Sequence, residues 1–131
     1  RVGDFRDLPY ENDMFDLVID RVSLVCVGFE AAKTAIREIH RVTSGGGRFY
    51  FNPYSDRHSS SQSGEAAEDG LRRGITEGTM IGVGQLCFYG KNHVLEALQG
   101  WEILSLQHLE WAEMLKPGWL VHAEWRAITG K

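Results

Sequence analysis

The chain has 131 residues, enough for one domain with a buried core, and its 43% hydrophobic and 24% charged residues are ordinary for a globular protein. A net charge of −4 with scattered basic residues excludes an electrostatic footprint for nucleic acid. No stretch approaches the roughly 18 apolar residues of a membrane span, and no charged-then-apolar leader opens the chain, which speaks against a membrane location. Cys26 and Cys87 lie in apolar surroundings without metal-ligand spacing; they read as two buried free thiols in a reducing cytoplasm.

In chain order, residues 1–13 are polar, with Pro9 and the Glu11-Asn12-Asp13 cluster marking a turn. The nearly continuous apolar run over residues 15–22 predicts a strand covered on both faces, as in a parallel sheet. From Phe29 to Val42, the spacing of Ala32, Ala35, Ile36, Ile39 and Val42 predicts an amphipathic helix, ended by Gly45-Gly46-Gly47. A second strand follows over 47–52 and stops at Pro53. Strand, helix and strand with short turns make a right-handed βαβ unit.

Residues 55–70 are rich in Ser, Gly and Glu without periodicity and read as a flexible loop. Residues 71–90 are broken by five glycines, and Gly82-Val83-Gly84 reads as a linker. Asn92 is a fair N-cap for a helix running to Leu98. Two alternating segments, 101–110 and 119–128, are separated by Lys116-Pro117-Gly118 and predict an antiparallel pair.

The run GDFRDLPY…FDLVID…REIHRVTSGGGRFYF over residues 3–51 resembles the middle of a class I S-adenosylmethionine-dependent methyltransferase. The resemblance implies a partial Rossmann-like α/β sheet, with two parallel strands, a C-terminal antiparallel pair and helices on the faces. Its strand order is first, second, fourth, third, in a single partial domain over 1–131. It also implies that the glycine-rich cofactor loop lies upstream of this run, outside the chain, which opens at Arg1. By position, Asp4 and Phe5 match the family's adenine contacts, a carboxylate for the amino group and a neighbour for the ring. Asp20, Arg21 and Ser23 stand at the carboxyl end of the first strand, where open α/β sheets bind ligands. Asp20 and Arg21 read equally well as a salt-bridged strand terminus.

No catalytic pair can be named, and methyl transfer often needs only alignment of nucleophile and sulfonium. The five histidines show no metal-binding spacing, although His108 and His122 are placed to face each other across the C-terminal pair. Trp101, Trp111, Trp119 and Trp125 gather on the same pair. In the whole family fold the 15–22 strand is central, so in this chain it is an edge with weak protection. Two partners fit that edge: a second copy of the chain about a two-fold axis, or a separate N-terminal half. Two functions follow. One is the substrate-side portion of a small-molecule methyltransferase that does not bind its cofactor as an isolated chain. The other is a non-catalytic truncated domain that self-associates and binds a partner or another small ligand.

Overall fold

The computed structural model describes residues 3–115 and 120–131. The apolar run of the first strand forms β1, Phe15–Arg21. It is covered on one face only: Asp20 is buried and Val18 packs on the core, whereas Leu17 and Ile19 are 56% and 61% exposed. The helix α1, Phe29–Val42, buries the five residues its spacing predicts.

The glycines do not end that helix. Thr43 does, its hydroxyl donating to the Ile39 carbonyl at 2.6 Å while its backbone turns extended. The strand β2, Thr43–Asn52, begins there and contains all three glycines. The reason is a bulge: β1 pairs Phe15 with Thr43 but Leu17 with Arg48, so the intervening residues loop out. Gly46, at φ +80°, supplies the left-handed conformation the loop needs, and its N–H donates to the Lys131 carbonyl.

From Leu17↔Arg48 to Arg21↔Asn52 the two strands run parallel. The two C-terminal strands end two residues beyond the bounds that their alternation suggests. Before them come three short strands, β3 (Glu65–Ala66), β4 (Leu71–Arg73) and β5 (Gln85–Cys87), and the helix α2 (Lys91–Ala97). Then β6, Glu102–Ala112, pairs antiparallel with β7, Val121–Gly130, which pairs antiparallel with β2. The main sheet order is therefore β1-β2-β7-β6, the order that the family resemblance implies. The predicted turn at Lys116-Pro117-Gly118 and the start of the last strand at Trp119 lie outside the described residues. Helix α2 is capped by Gly90, whose N–H donates to His93 Nδ1 at 3.2 Å, rather than by Asn92.

Phe49 and Phe51 of β2 are fully buried and alternate onto the face that also takes Ala127. Trp101 lies 5.3 Å from Phe49 and Tyr89 lies 5.6 Å from Phe51, ring centre to ring centre. Ile36 and Ile39 of α1 and Val94 and Ala97 of α2 close the same core. Leu17, Ile19, Leu104 and Ile128 of the main sheet remain exposed.

The segment between β2 and α2 builds a second sheet, β3-β4-β5, which sequence reasoning missed. Strands of two or three residues carry too little alternation to read. This segment is tied to the N-terminus of α1. Gly28 has no side chain to cap the helix, and Asp69 does so instead: both its carboxylate oxygens accept from the Glu30 N–H, at 3.1 and 3.0 Å. Asp69 holds that pose from a left-handed backbone, φ 51°. A Cβ on Gly28 would sit 2.0 Å from Asp69 Oδ2, so only glycine leaves room for the borrowed cap. Asp69→Ala should cost about 1 kcal/mol, and Gly28→Ala should cost at least as much by displacing the same carboxylate; urea melts of the two variants and the double variant check this, the double being clearly less than additive.

Candidate functional site

The carboxyl ends of the two parallel strands, Arg21 of β1 and Asn52 of β2, pair with each other and define one end of the sheet. There Asp20 turns inward. Its Oδ1 accepts from the Ser23 N–H at 3.2 Å, the Leu24 N–H at 3.1 Å and the Ser23 hydroxyl, capping a short 3-10 turn over Leu24–Cys26. Burial raises the Asp20 pKa, against the lowering effect of those hydrogen bonds. Its Oδ2 is buried without a hydrogen-bond partner among the described residues, as is the Tyr89 hydroxyl. Among the described residues Asp20 and Arg21 form no ion pair with each other; Arg21 is exposed. The tight turn needs Val22 at φ 54°, an unusual conformation for a branched residue. Cys26, expected to be buried, is exposed at the end of this turn, while Cys87 is buried and its thiol is pushed up to about 12 by desolvation.

Asp4 and Phe5 stand apart from this group, exposed on the N-terminal loop. Arg6 pairs with the Asp4 carboxylate at 2.7 Å, and its hydrogen bonds hold the Asp4 pKa at about 2, so the group is ionised. A charged carboxylate can accept from an amino group such as adenine's, and the exposed ring beside it offers a face for stacking.

The other side of the same end is denser. The Asn52 amide donates to Glu124 Oε2 at 2.6 Å and to the Trp125 carbonyl at 2.7 Å, locking β2 to β7. Glu124 is buried; its Oε1 accepts from Arg126 at 2.8 Å. Burial raises its pKa, but Asn52 and Arg126 outweigh it and the net shift is downward. Beyond Asn52 the chain continues along β7: the Trp125 N–H donates to the Pro53 carbonyl, and the Ser55 N–H to the Ala123 carbonyl. The Tyr89 N–H then donates to the Tyr54 carbonyl at 2.8 Å from the opposite side. Tyr54 is thereby fixed between Arg21, Cys26 and Glu124, all within electrostatic reach; burial and then Glu124 raise its pKa.

Around Tyr54 gather rings that sequence reasoning did not assign. The His122 ring lies 5.6 Å from Tyr54 and 5.0 Å from His58, and it stacks on Trp111 at 4.2 Å with the planes 18° apart. His58 is fully buried, its pKa lowered to about 4 by desolvation and by His122, and so it is neutral. Its Nδ1 accepts from the Ser60 N–H, which puts the ring proton on Nε2, 3.4 Å from the Thr79 hydroxyl. His108 does not face His122: it lies opposite Trp125 in the β6–β7 register and bonds the Ser55 hydroxyl at 2.8 Å. The tryptophans do not gather either. Trp101 is in the core, Trp125 donates to the Tyr89 carbonyl, Trp111 is half exposed, and Trp119 lies outside the described residues. Only pairing register could have joined Trp111 to His122, and register is a tertiary fact. Among the described residues no group of three or more His, Cys, Asp or Glu side chains could hold a metal ion.

Residues 1–51 match the sequence family described as "Methyltransferase domain". No curated protein matches the chain. Solved structures do. A SAM-dependent methyltransferase from Methanosarcina mazei superposes with a TM-score of 0.76 at 14% identity, over 100% of this chain and 66% of that one. The chain has the fold of a class I SAM-dependent methyltransferase. A second such methyltransferase, from Mesorhizobium loti, aligns with a TM-score of 0.64 at 17% identity, over 98% of this chain and 68% of that one. A Burkholderia thailandensis 1,6-didemethyltoxoflavin-N1-methyltransferase, with 1,6-didemethyltoxoflavin and S-adenosylhomocysteine bound, aligns with a TM-score of 0.63 at 14% identity, over 98% of this chain and 48% of that one. The chain thus spans about half to two thirds of the methyltransferases it resembles. Among the described residues no helix is long and apolar enough to cross a membrane.

The neutral burial of His58 has a pH consequence. Its folded pKa lies below the ordinary 6.5, so the unfolded chain takes up a proton that the folded one refuses. The associated stability is complete above pH 6.5 and is lost as pH falls toward 4, by up to about 3 kcal/mol. His58→Gln, which keeps an acceptor for Ser60, should lose stability relative to the native chain at pH 7.5 and much less at pH 4.5. Denaturant titrations of both proteins at the two pH values check this, since the other titrating groups cancel in the difference.

Proposed function

We propose that this chain is the acceptor-side part of a SAM-dependent methyltransferase acting on a small molecule. The observation that carries the reading is the sheet end itself: parallel carboxyl ends at Arg21 and Asn52, with Tyr54, His122 and Trp111 ringed beside them. S-adenosylmethionine, when bound, supplies an activated methyl group on a sulfonium. Asp4 and Phe5 hold the adenine end, the first by its ionised carboxylate and the second by its exposed ring. Asp20 and Ser23 shape the turn that Arg21 projects from, and the buried Oδ2 of Asp20 is the remaining acceptor at that end. The groups for the cofactor's ribose and amino-acid tail come from outside this chain. Asn52, Glu124 and Arg126 keep the acceptor wall rigid, so that alignment rather than a dedicated acid or base does most of the work.

The second reading, a non-catalytic domain that self-associates, is favoured by the exposed edge. Among the described residues strand β1 pairs only with β2, and Leu17 and Ile19 leave one face of it apolar and exposed. Unprotected edges of this kind pair with another strand, either from the remainder of a methyltransferase or from a second copy of the chain.

The two readings separate in one experiment: calorimetric titration with S-adenosylhomocysteine, run on this chain and on a version extended to full methyltransferase length, with light scattering for mass. Methyl transfer requires tight binding by the extended protein and weak or no binding by the chain alone. A stable dimer that ignores S-adenosylhomocysteine in both forms selects the second reading. In either case Ile19→Lys should weaken the edge pairing and speed hydrogen exchange at the β1 amides that do not bond β2.

A further inference from the structure

We propose that the recess between Thr79, Trp111 and His122 is a binding site for a small planar aromatic molecule carrying a hydroxyl group. This deepens the methyl-transfer reading by naming the class of acceptor, and it rests on that reading only for what becomes of the ligand once bound.

The recess has a volume of about 260 Å³ and is also lined by Ala112, Glu113 and Leu120. An apolar cavity of about 150 Å³ holds benzene, so one ring with substituents fits. Its floor is aromatic. Trp111 stacks on His122 and is still 50% exposed, which leaves indole surface for a second ring. His122 is held in place by Trp111, Tyr54 and His58, so the stack is formed before any ligand arrives.

Two polar groups give the recess an edge that a plain hydrocarbon would not use. Among the described residues neither ring nitrogen of His122 has a hydrogen-bond partner, and desolvation lowers its pKa, which keeps the ring neutral. A neutral imidazole has one donor and one acceptor nitrogen, the complement of a hydroxyl. Thr79 is the second group. His58 must present its Nε2–H to the Thr79 oxygen, because its Nδ1 already accepts from Ser60. The Thr79 hydroxyl hydrogen is then free to donate into the recess. Among the described residues the charged groups that act on His122 are Glu124 and Arg126, joined to each other, and Glu113 also lines the recess; an anionic ring gains nothing from them. The site thus favours a neutral phenol-like ring. Tyr54, which touches His122 and lies within electrostatic reach of Arg21, connects it to the end of β1.

The test is saturation-transfer NMR on the full chain with phenol and, as the non-aromatic match, cyclohexanol. Phenol should receive saturation and titrate to a single constant, while cyclohexanol should not. Trp111→Leu removes the stacking surface, and His122→Phe keeps a ring but removes both nitrogens. Each should weaken phenol binding about tenfold, the factor that corresponds to one aromatic contact or one hydrogen bond. If Trp111→Leu does not fold, His122→Phe decides alone. Equal saturation of the two alcohols, or phenol binding that His122→Phe leaves unchanged, overturns the proposal. Because no cofactor is needed, a chain that binds phenol in this way but never gains S-adenosylhomocysteine affinity when extended keeps the site and loses the methyl-transfer reading. Affinity for S-adenosylhomocysteine without phenol binding does the reverse.

Discussion

Strand β2 is the constraint on which the rest depends. It is paired on both sides, parallel to β1 and antiparallel to β7, and its inward residues Phe49 and Phe51 are fully buried. The last residue of that strand, Asn52, then spends its amide on Glu124 and on the Trp125 carbonyl. Burying a carboxylate costs least when hydrogen-bond donors fill its acceptor sites. Asn52 and Arg126 fill those of Glu124, and the price in desolvation is met by two charge-assisted bonds. With β2 and β7 locked at that point, the chain leaving Asn52 is carried along β7 for three more residues and delivers Tyr54 to the end of β1.

The segment between β2 and α2 shows how a region without periodicity takes up secondary structure. It has few apolar residues to bury, yet Leu71, Ile75, Leu86 and Cys87 join the main core. Its polar groups are answered internally or by neighbours: Ser63 accepts from the Thr76 and Glu77 N–H groups, Ser60 from Met80, and Ser59 from Val121. Asp69 completes the start of α1 from a distance of 39 residues in sequence. Such serine-rich stretches look unstructured because their stabilising partners are backbone groups far along the chain, which composition does not reveal.

Exposure is unevenly distributed on the sheet. Both helices contribute to the core that covers Phe49, Phe51 and Ala127, while Leu17, Ile19, Leu104 and Ile128 face solvent. An apolar strand run that reads as doubly buried is half exposed in the chain by itself. The mismatch between sequence and burial at β1 is a physical statement about what the strand is made to meet, since Leu and Ile at adjacent outward positions gain nothing from water.

What the sequence determined by itself were the helix at Phe29–Val42 and the two long C-terminal strands, from their periods, and the first strand, from its apolar run over residues 15–22, together with the family resemblance over residues 3–51. The sheet order came from that resemblance rather than from the elements themselves. Of the candidate residues, Asp20, Arg21 and Ser23 were legible as a strand end, and the structure keeps them together in one turn. Tertiary structure alone decided that Asp20 points inward, that glycines 45–47 bulge within a strand, and that His122 meets Trp111, Tyr54 and His58. Each of these depends on register or on partners many residues away. Local periodicity reports which face a residue takes, whereas only the packed chain settles what lies across from it.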